Sequence, residues 1–209
     1  MNIRCAILCG AMALCAVNSA QALELTKIDI VRAEKFCQSI SPSPKEVTIV
    51  KMEWPPFPGG DELVDIDLWM REPDGTLVGF MNINGHAFHL TGDGYSGRMA
   101  RENGVQKKNH SELMVACQPI PEGIYLVNVH AYRVGSYDKD TFELPVTVSL
   151  WNDNSFVFAV TVVLGYMWEE MSVLTFRSES AGITVKMCQT TSNLIGTRKH
   201  GDFVQPLCP

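Results

Sequence analysis

The chain has 209 residues and a formal net charge of −6, from 17 lysines and arginines against 23 aspartates and glutamates. That length corresponds to one domain, or to one domain with terminal extensions. Because the chain is acidic and lacks a cluster of basic residues, we expect no nucleic acid partner. The apolar run at 156–164 is too short to cross a bilayer, so we predict no membrane span there.

The N-terminus has the three parts of a secretory signal peptide over residues 1–22. Arg4 gives a short positive region, residues 5–17 are small and apolar, and Ala20-Gln21-Ala22 fits the A-x-A cleavage pattern. We expect cleavage after Ala22 and a mature chain that starts at Leu23. The predicted localisation is therefore periplasmic or secreted.

Four cysteines lie in the predicted mature chain: Cys37, Cys117, Cys188 and Cys208. An even number in an exported chain favours disulfides, with three possible pairings. We favour Cys37–Cys117 with Cys188–Cys208, because the second pair closes the shortest loop, in a segment poor in core residues. A zinc site of two thiolates and two histidines is the alternative, but no C-x-x-C or H-x-x-x-H spacing supports it.

Residues 23–50 are predicted to form an N-terminal extension with the first strands. The mixed pattern at 25–36 fits either a strand or a short helix, and the proline-containing segment 41–44 ends it. Residues 47–54 are β-branched and alternating, which predicts a strand. No helix longer than two or three turns is expected.

Residues 65–75 are the most informative stretch, because they encode a strand and the turn that ends it. In a strand, successive side chains alternate between the two faces. The apolar positions 64, 66, 68 and 70 are expected to face a core, whereas Asp65, Asp67, Trp69 and Arg71 share the opposite face. Pro73-Asp74-Gly75 has the composition of a tight turn.

The sandwich region, residues 51–187, is predicted to consist of short strands separated by turns. Residues 82–109 are predicted to be a long glycine-rich loop in which only 89–91 looks strand-like, and 152–155 a hairpin loop. Eight or more short strands at fairly regular spacing predict an all-β fold, an antiparallel sandwich. Residues 188–209 are predicted to be a C-terminal tail tied by its disulfide. The later strands are expected at 112–117, 124–132, 144–151, 156–164, 171–178 and 183–187.

Four patterns follow one another along the chain: an Asp-x-Asp-Leu strand, a Pro-Asp-Gly turn, a Gly/Asp-rich loop and a Pro-x-Gly-x-Tyr-x-Val-x-Val strand. Together they resemble a group of exported bacterial immunoglobulin-like β-sandwich domains of unknown function, over about residues 52–185. The resemblance implies an immunoglobulin-like sandwich and no activity. One departure is that the loop has a single acid, Asp93, where a pair would better support an inherited metal site. The matching residues are Asp65, Asp67, Leu68, Pro73, Asp74, Gly75, Asp93, Pro121, Gly123, Tyr125, Val127 and Val129.

Four aspartates form the strongest candidate metal site: Asp65, Asp67, Asp74 and Asp93. Calcium takes six to eight oxygen ligands, and loops at the end of a sandwich can gather carboxylates for it. The alternative is that Asp65 and Asp67 lie on a solvated strand face while Asp74 serves its own turn. Calcium is the cofactor that the sequence favours.

Three histidines are candidate binding residues. His86 and His89 have an H-x-x-H spacing suited to copper or zinc. His130 shares a strand face with Asn128 and Tyr132, which we interpret mainly as a cross-strand polar network that fixes register. A hydrolase would use His130 with an acid, but no G-x-S-x-G or H-E-x-x-H motif is present, so no enzyme is predicted.

Four aromatic residues are candidates for an exposed platform that binds sugar or protein: Trp54, Phe57, Trp69 and Trp151. Trp69 is the sharpest case, because alternation puts it on the acidic face of its strand. The alternative is that these rings pack under sheet edges or a terminal extension.

The predicted function is an exported, non-catalytic binding or accessory module of the cell envelope. It would recognise a protein or glycan through the 82–109 loop and an aromatic and acidic sheet face. The first alternative is a calcium-stabilised structural domain of an envelope assembly, and the second is a hydrolase. The sequence does not specify the ligand or the oligomeric state.

Overall fold

The computed structural model describes residues 25–41, 43–56, 64–92, 100–102, 105–107, 110–134 and 142–191. These residues form one α-helix and twelve β-strands. The elements in chain order are α1 (Lys27–Ile40), β1 (Thr48–Glu53), β2 (Asp65–Arg71), β3 (Leu77–Val78), β4 (His89–Gly92), β5 (Ala100–Glu102), β6 (Val105–Lys107), β7 (Ser111–Ala116), β8 (Gly123–Arg133), β9 (Leu144–Asn152), β10 (Ser155–Leu164), β11 (Glu170–Glu179) and β12 (Gly182–Thr191).

Ten of these strands form two five-stranded antiparallel sheets. Sheet A has the strand order β10-β9-β1-β7-β4, and sheet B has the order β12-β11-β8-β2-β3. The predicted all-β antiparallel sandwich is therefore confirmed. Within 82–109, the segment predicted to be strand-like, 89–91, lies in β4, whereas the loop prediction is wrong for the paired strands β5 and β6.

The core lies between the two sheets, where their apolar inner faces meet. Strands β2 and β8 alternate as predicted: Leu68 opposes Val129, and both side chains are fully buried. A carboxylate also joins the sheets, because Glu112 of β7 accepts a hydrogen bond from the Leu68 backbone N–H at 2.7 Å. The carboxylate gives the Leu68 N–H a partner in a part of β2 that does not pair with β3, because β3 pairs only with Met70 and Arg71.

Tyr125 of β8 anchors one end of the core. Its ring stacks on Phe176 of β11 at a centroid distance of 4.7 Å, and its hydroxyl donates a hydrogen bond to the Pro121 carbonyl at 2.9 Å. Burial raises the pKa of the Tyr125 hydroxyl, and the nearby Glu72 carboxylate adds to the shift. The group therefore stays a donor at physiological pH.

Helix α1 packs on the outer face of sheet A. Ala33 and Cys37 are buried in a second apolar cluster with residues of β1, β7 and β9. Lys51 of β1 reaches the helix, where its ammonium lies 3.1 Å from the Asp29 carboxylate, and it also lies 2.6 Å from Glu53. The helix therefore covers sheet A through apolar packing, a buried ion pair and a disulfide.

The length of α1 corrects the prediction for this region. With 14 residues, it exceeds the two or three turns expected, and it replaces the first strand considered for 25–36. A capping box begins it: Asp29 and Thr26 exchange side-chain and backbone hydrogen bonds across the first turn. The Thr-x-x-Asp spacing was the local signal for this helix, and the β-branched residues near it obscured that signal.

The disulfide Cys37–Cys117 is confirmed, with a Cα–Cα distance of 5.3 Å. Cys188 is disulfide-bonded as well, whereas its predicted partner Cys208 lies outside the described residues. The predicted signal peptide, residues 1–22, and most of the predicted tail lie outside them too. Within the described residues, no helix is both long and apolar enough to cross a membrane.

Candidate functional site

The outer face of sheet B carries an unusual set of buried side chains. Strands β2, β8 and β11 lie side by side, and their register aligns their outward residues into two rows across the sheet. All of these residues are 5% exposed or less. We call them the outer-face cluster: Asp67, His130 and Glu170 in one row, and Trp69, Asn128 and Ser172 in the next.

Hydrogen bonds connect the outer-face cluster across strands. The Nδ1 atom of His130 lies 3.2 Å from Asp67 Oδ2, and the Asn128 side-chain amide donates to Glu170 Oε1 at 2.6 Å. Each bond links β8 to a neighbouring strand. Buried polar groups joined in this way specify a register, because a slip of one residue would leave them without partners. The predicted cross-strand polar network at His130 and Asn128 is present.

Trp69 Nε1 and Ser172 Oγ are buried polar atoms of the cluster without a hydrogen bond to any described residue. They flank Asn128 in the same row. A buried polar group without a partner costs roughly 1–3 kcal/mol. Such a cost is commonly found at functional sites, where a ligand or solvent can supply the partner.

Three aromatic residues surround the cluster and remain accessible: Phe80, Tyr132 and Trp168, which are 43%, 43% and 47% exposed. We call them the aromatic rim. The Tyr132 and Trp168 rings lie 4.9 Å apart in an edge-to-face contact, and Phe80 lies 6.4 Å from Tyr132. His130 lies 6.1 Å from Trp168 and 6.3 Å from Tyr132. The rim is therefore continuous and lies next to the Asp67–His130 pair.

Trp168 is held in a strained backbone conformation. Its φ of 66° lies in the left-handed region, which is an outlier for a bulky side chain. The surrounding loop fixes it: the Trp168 N–H donates to the Ala131 carbonyl at 2.7 Å, and the Glu169 carboxylate accepts from the Gly165 and Tyr166 N–H groups. Strain of this kind costs on the order of 1–3 kcal/mol and clusters at functional sites.

A close backbone approach places Phe80 at the other end of the rim. A Cβ atom on Gly79 would lie 2.4 Å from the Trp69 ring, so only glycine lets this turn lie against the indole. Gly79 and Asn82 close the turn with two backbone hydrogen bonds of 3.0 Å, and Phe80 then contacts Trp69 edge-to-face at 5.4 Å. The turn therefore covers Trp69 and presents Phe80 to solvent.

The predicted exposed platform is wrong for Trp54, Trp69 and Trp151, which are all buried, while Phe57 lies outside the described residues. The Gly79–Phe80 turn covers Trp69, and Trp151 packs in the cluster beneath α1. Trp69, a candidate binding residue, is therefore buried beneath Phe80, and Phe80 is the ring exposed at this position.

Sequence reasoning missed two of the rim residues, and it placed the third on a polar strand face. Phe80 and Trp168 lie in turns, where strand alternation predicts nothing about exposure. The available signal was the presence of large aromatic residues in short connections, which are usually polar.

The candidate calcium site is not assembled from the predicted aspartates. Asp65 and Asp67 are buried in the first half of β2, whereas Asp74 lies in the turn after its other end, and the strand from Asp67 to Arg71 alone spans about 13 Å. The Asp74 carboxylate accepts from the Thr76 N–H at 2.9 Å, which lowers the pKa of Asp74. Asp93 lies outside the described residues. Within the described part of the chain, no group of three or more acidic, histidine or cysteine residues is placed to hold a metal ion.

His86 lies in the connection before β4, and His89 is the first residue of β4. The Glu72 carboxylate is buried and accepts backbone hydrogen bonds from His86, Ala87 and Phe88. The His89 ring packs 5.4 Å from Phe36 of α1, and burial lowers the pKa of His89. His89 thus contributes to the contact between α1 and sheet A, and His86 is exposed. The described residues place neither in a metal-binding group.

The comparisons with known proteins leave the function open. No protein-family model matches the chain, and no curated protein matches it. One solved structure that it resembles is described as "Crystal structure of unknown function protein SAV2460", with 16% sequence identity and a TM-score of 0.46. The match covers 69% of this chain and 88% of that chain.

Proposed function

We propose that this protein is an exported, non-catalytic binding module of the cell envelope and that it binds its partner through the aromatic rim. One observation carries the proposal: three half-exposed aromatic rings form a continuous surface next to a buried acid–histidine pair. Tryptophan and tyrosine are enriched among the residues that dominate binding energy at interfaces. The strained backbone that presents Trp168 supports the same assignment.

The chemistry of the rim favours a protein partner over a glycan. The Tyr132 and Trp168 rings are inclined at 83°, and those of Phe80 and Tyr132 at 54°, so they do not form a flat platform for a sugar ring. Phe80 continues into the exposed apolar residues Met81 and Ile83. A contiguous exposed apolar surface is typical of a protein contact, so we assign the rim to an apolar patch on a partner protein.

Two features support the proposed compartment, which is periplasmic or extracellular. The Cys37–Cys117 disulfide is of a kind that persists in oxidising compartments. The sequence pattern of residues 1–22 predicts export.

The hydrogen bond from Tyr125 to Pro121 supports the proposed kinship with exported immunoglobulin-like domains, because a tyrosine bonded to upstream backbone is a hallmark of those sandwiches.

The two alternative functions have less support. A calcium-stabilised domain needs its aspartates together, and β2 separates Asp74 from Asp65 and Asp67. A hydrolase needs a nucleophile within reach of its base. Ser172 is the hydroxyl of the outer-face cluster, and it makes no hydrogen bond to His130.

Site-specific photo-cross-linking in the native envelope tests the proposal. The photoreactive residue p-benzoylphenylalanine replaces Phe80 in the rim or, as a control, Ile28 on the exposed side of α1. We expect a discrete protein adduct from position 80 and none from position 28. Equal labelling at both positions, or a glycan-array signal abolished by Trp168→Ala in place of a protein adduct, would refute the assignment to a protein partner.

The affinity for the partner protein identified by cross-linking then measures the contribution of Trp168 to binding. Loss of an interface hot spot costs at least about 2 kcal/mol, so Trp168→Ala should weaken binding by roughly 30-fold. Ile28→Ala, which removes an equally exposed apolar side chain from the other side of the molecule, should leave the affinity unchanged. Circular dichroism melting confirms that both variants are folded.

A further inference from the structure

Strand β10 forms one edge of sheet A. One backbone edge of β10 pairs with β9 along its length. Within the described residues, no strand pairs with the other edge. Helix α1 lies over β7 and β4, at the opposite side of the same sheet, so it does not protect this edge. A free edge presents unpaired backbone N–H and C=O groups that can receive another strand.

The sequence of β10 lacks the usual protection of an edge. The segment Ser155–Leu164, SFVFAVTVVL, contains no charged residue and no proline. Phe156 and Val163 are 53% and 54% exposed. A bulge between Phe156 and Phe158 disturbs one end, and the register is regular from Phe158 to Leu164. The regular part spans about 23 Å at the rise of a strand.

The other sheet edges in the described residues differ from β10 in a consistent way. Strand β3 has two residues and β4 has four, so neither offers a long ladder. Strand β12 is as long as β10 but carries Lys186. Short edge strands and lysines are common means of blocking edge-to-edge pairing. Strand β10 has neither.

We propose that β10 pairs with β10 of a second copy of this chain, antiparallel and around a two-fold axis. Self-pairing opposes the strand with its own sequence, and an uncharged strand then brings no like charges together. In a chain with a net charge of −6, an uncharged pairing edge adds no local repulsion to that between the two copies. The two copies of sheet A would form one continuous ten-stranded sheet.

The regular segment fixes the register of the pairing. Thr161 is the middle residue of Phe158–Leu164, so it would lie beside the two-fold axis and opposite its own copy. Thr161 and Val163 are both exposed on the outer face of the sheet. In the paired state Val163 of one copy would lie opposite Ala159 of the other, which buries apolar surface on both.

Sedimentation velocity of the full mature protein over a wide concentration range tests the pairing. We expect a reversible dimer, and Val163→Lys should raise its dissociation constant by at least tenfold, because it puts a charge on the pairing edge. The matched control Thr184→Lys, at an exposed position of β12, should leave the constant unchanged. A monomer at all concentrations, or a dimer insensitive to Val163→Lys, would overturn the proposal.

A cysteine at the two-fold axis provides an independent readout of register. Thr161→Cys should form an interchain disulfide on mild oxidation, visible as a dimer on a non-reducing gel, whereas Thr184→Cys should not. Equal cross-linking of both variants would contradict the predicted register. A monomeric protein that binds a synthetic β10 peptide or another strand at this edge would likewise refute a second copy as its occupant.

Discussion

The two outer faces of the sandwich both bury polar side chains, but they do so in different ways. On sheet A, the Lys51 ammonium is covered by α1 and neutralised by carboxylates, and a disulfide holds the helix in place. On sheet B, the outer-face cluster lies beside rings that remain close to half exposed. The sheet A face is covered by the chain's own helix, whereas the sheet B face leaves its aromatic rings accessible, and this is the surface that we propose for a partner.

The largest expected effect comes from removing the disulfide that holds α1. The double variant Cys37→Ala/Cys117→Ala should lose roughly 2–5 kcal/mol of unfolding free energy, since the bond closes a long loop. Urea denaturation of the mature protein measures it. Binding through the aromatic rim should be unchanged in native buffer. A loss below about 1 kcal/mol would show that packing alone fixes the helix.

The second largest effect on stability should come from replacing Lys51, the buried lysine of sheet A. Lys51→Met leaves the buried Asp29 carboxylate without its cation and should cost about 3 kcal/mol. Burial lowers the pKa of Lys51, but the Glu53 and Asp29 carboxylates more than compensate, so the pKa is raised. The stabilisation should therefore persist from neutral pH up to about 10.5 and be lost as the pH rises through the folded-state pKa.

Chemical denaturation at pH 7 and above pH 10.5 measures the Lys51 effect. Lys35→Met serves as the control, because it removes an exposed ammonium from the same region of the molecule. The control should lie within about 0.5 kcal/mol of the wild-type protein. Equal losses from the two variants would refute a stabilising buried pair.

On sheet B, the sharpest structural perturbation is Gly79→Ala. The added Cβ would lie 2.4 Å from the Trp69 ring, so the turn or the indole must move. Overpacking of this kind costs typically about 1–3 kcal/mol, and displacement of Phe80 should also weaken partner binding. Gly165→Ala is the control, because its Cβ meets nothing closer than 3.7 Å. Thermal melting and affinity measurements check both variants. Unchanged binding by Gly79→Ala would show that Phe80 does not contribute to the binding site.

The smallest effect should be a pH dependence at the contact between α1 and β4. Burial lowers the pKa of His89 below its ordinary value of 6.5. Its contribution to stability is therefore complete above pH 6.5 and is lost as the pH falls towards the folded-state pKa. His89→Gln should flatten this part of the stability curve measured by denaturation between neutral and mildly acidic pH. An unchanged slope would assign the pH dependence to other groups.

The sequence predicted the inner faces of the strands well and the outer faces poorly. Alternation along β2 and β8 is a local property, so the residues that enter the core follow from spacing alone. The exposure of Trp69 depends on a turn ten residues later, and that of Trp151 on a helix more than a hundred residues earlier. Such coverage is set by tertiary contacts and cannot be obtained from strand spacing.

The candidate site shows the same division between local and non-local information. Placing Asp65, Asp67 and Trp69 on one face was correct because it required only the period of a strand. Bringing Asp74 to them required the hairpin to fold back over β2, and the turn instead keeps Asp74 beyond the strand end. Trp168 depends on a left-handed backbone conformation that no local pattern of residues 165–169 specifies.

The disulfide between α1 and the end of β7 also makes assembly depend on redox conditions. An isolated helix of 14 residues is only marginally stable in water, and Cys37 lies 80 positions from its partner. In a reducing compartment α1 must rely on packing and the Lys51 ion pair, so its attachment to sheet A is weaker. Oxidation adds a covalent link between the helix and the end of β7, so the attachment of α1 is stronger in an oxidising compartment.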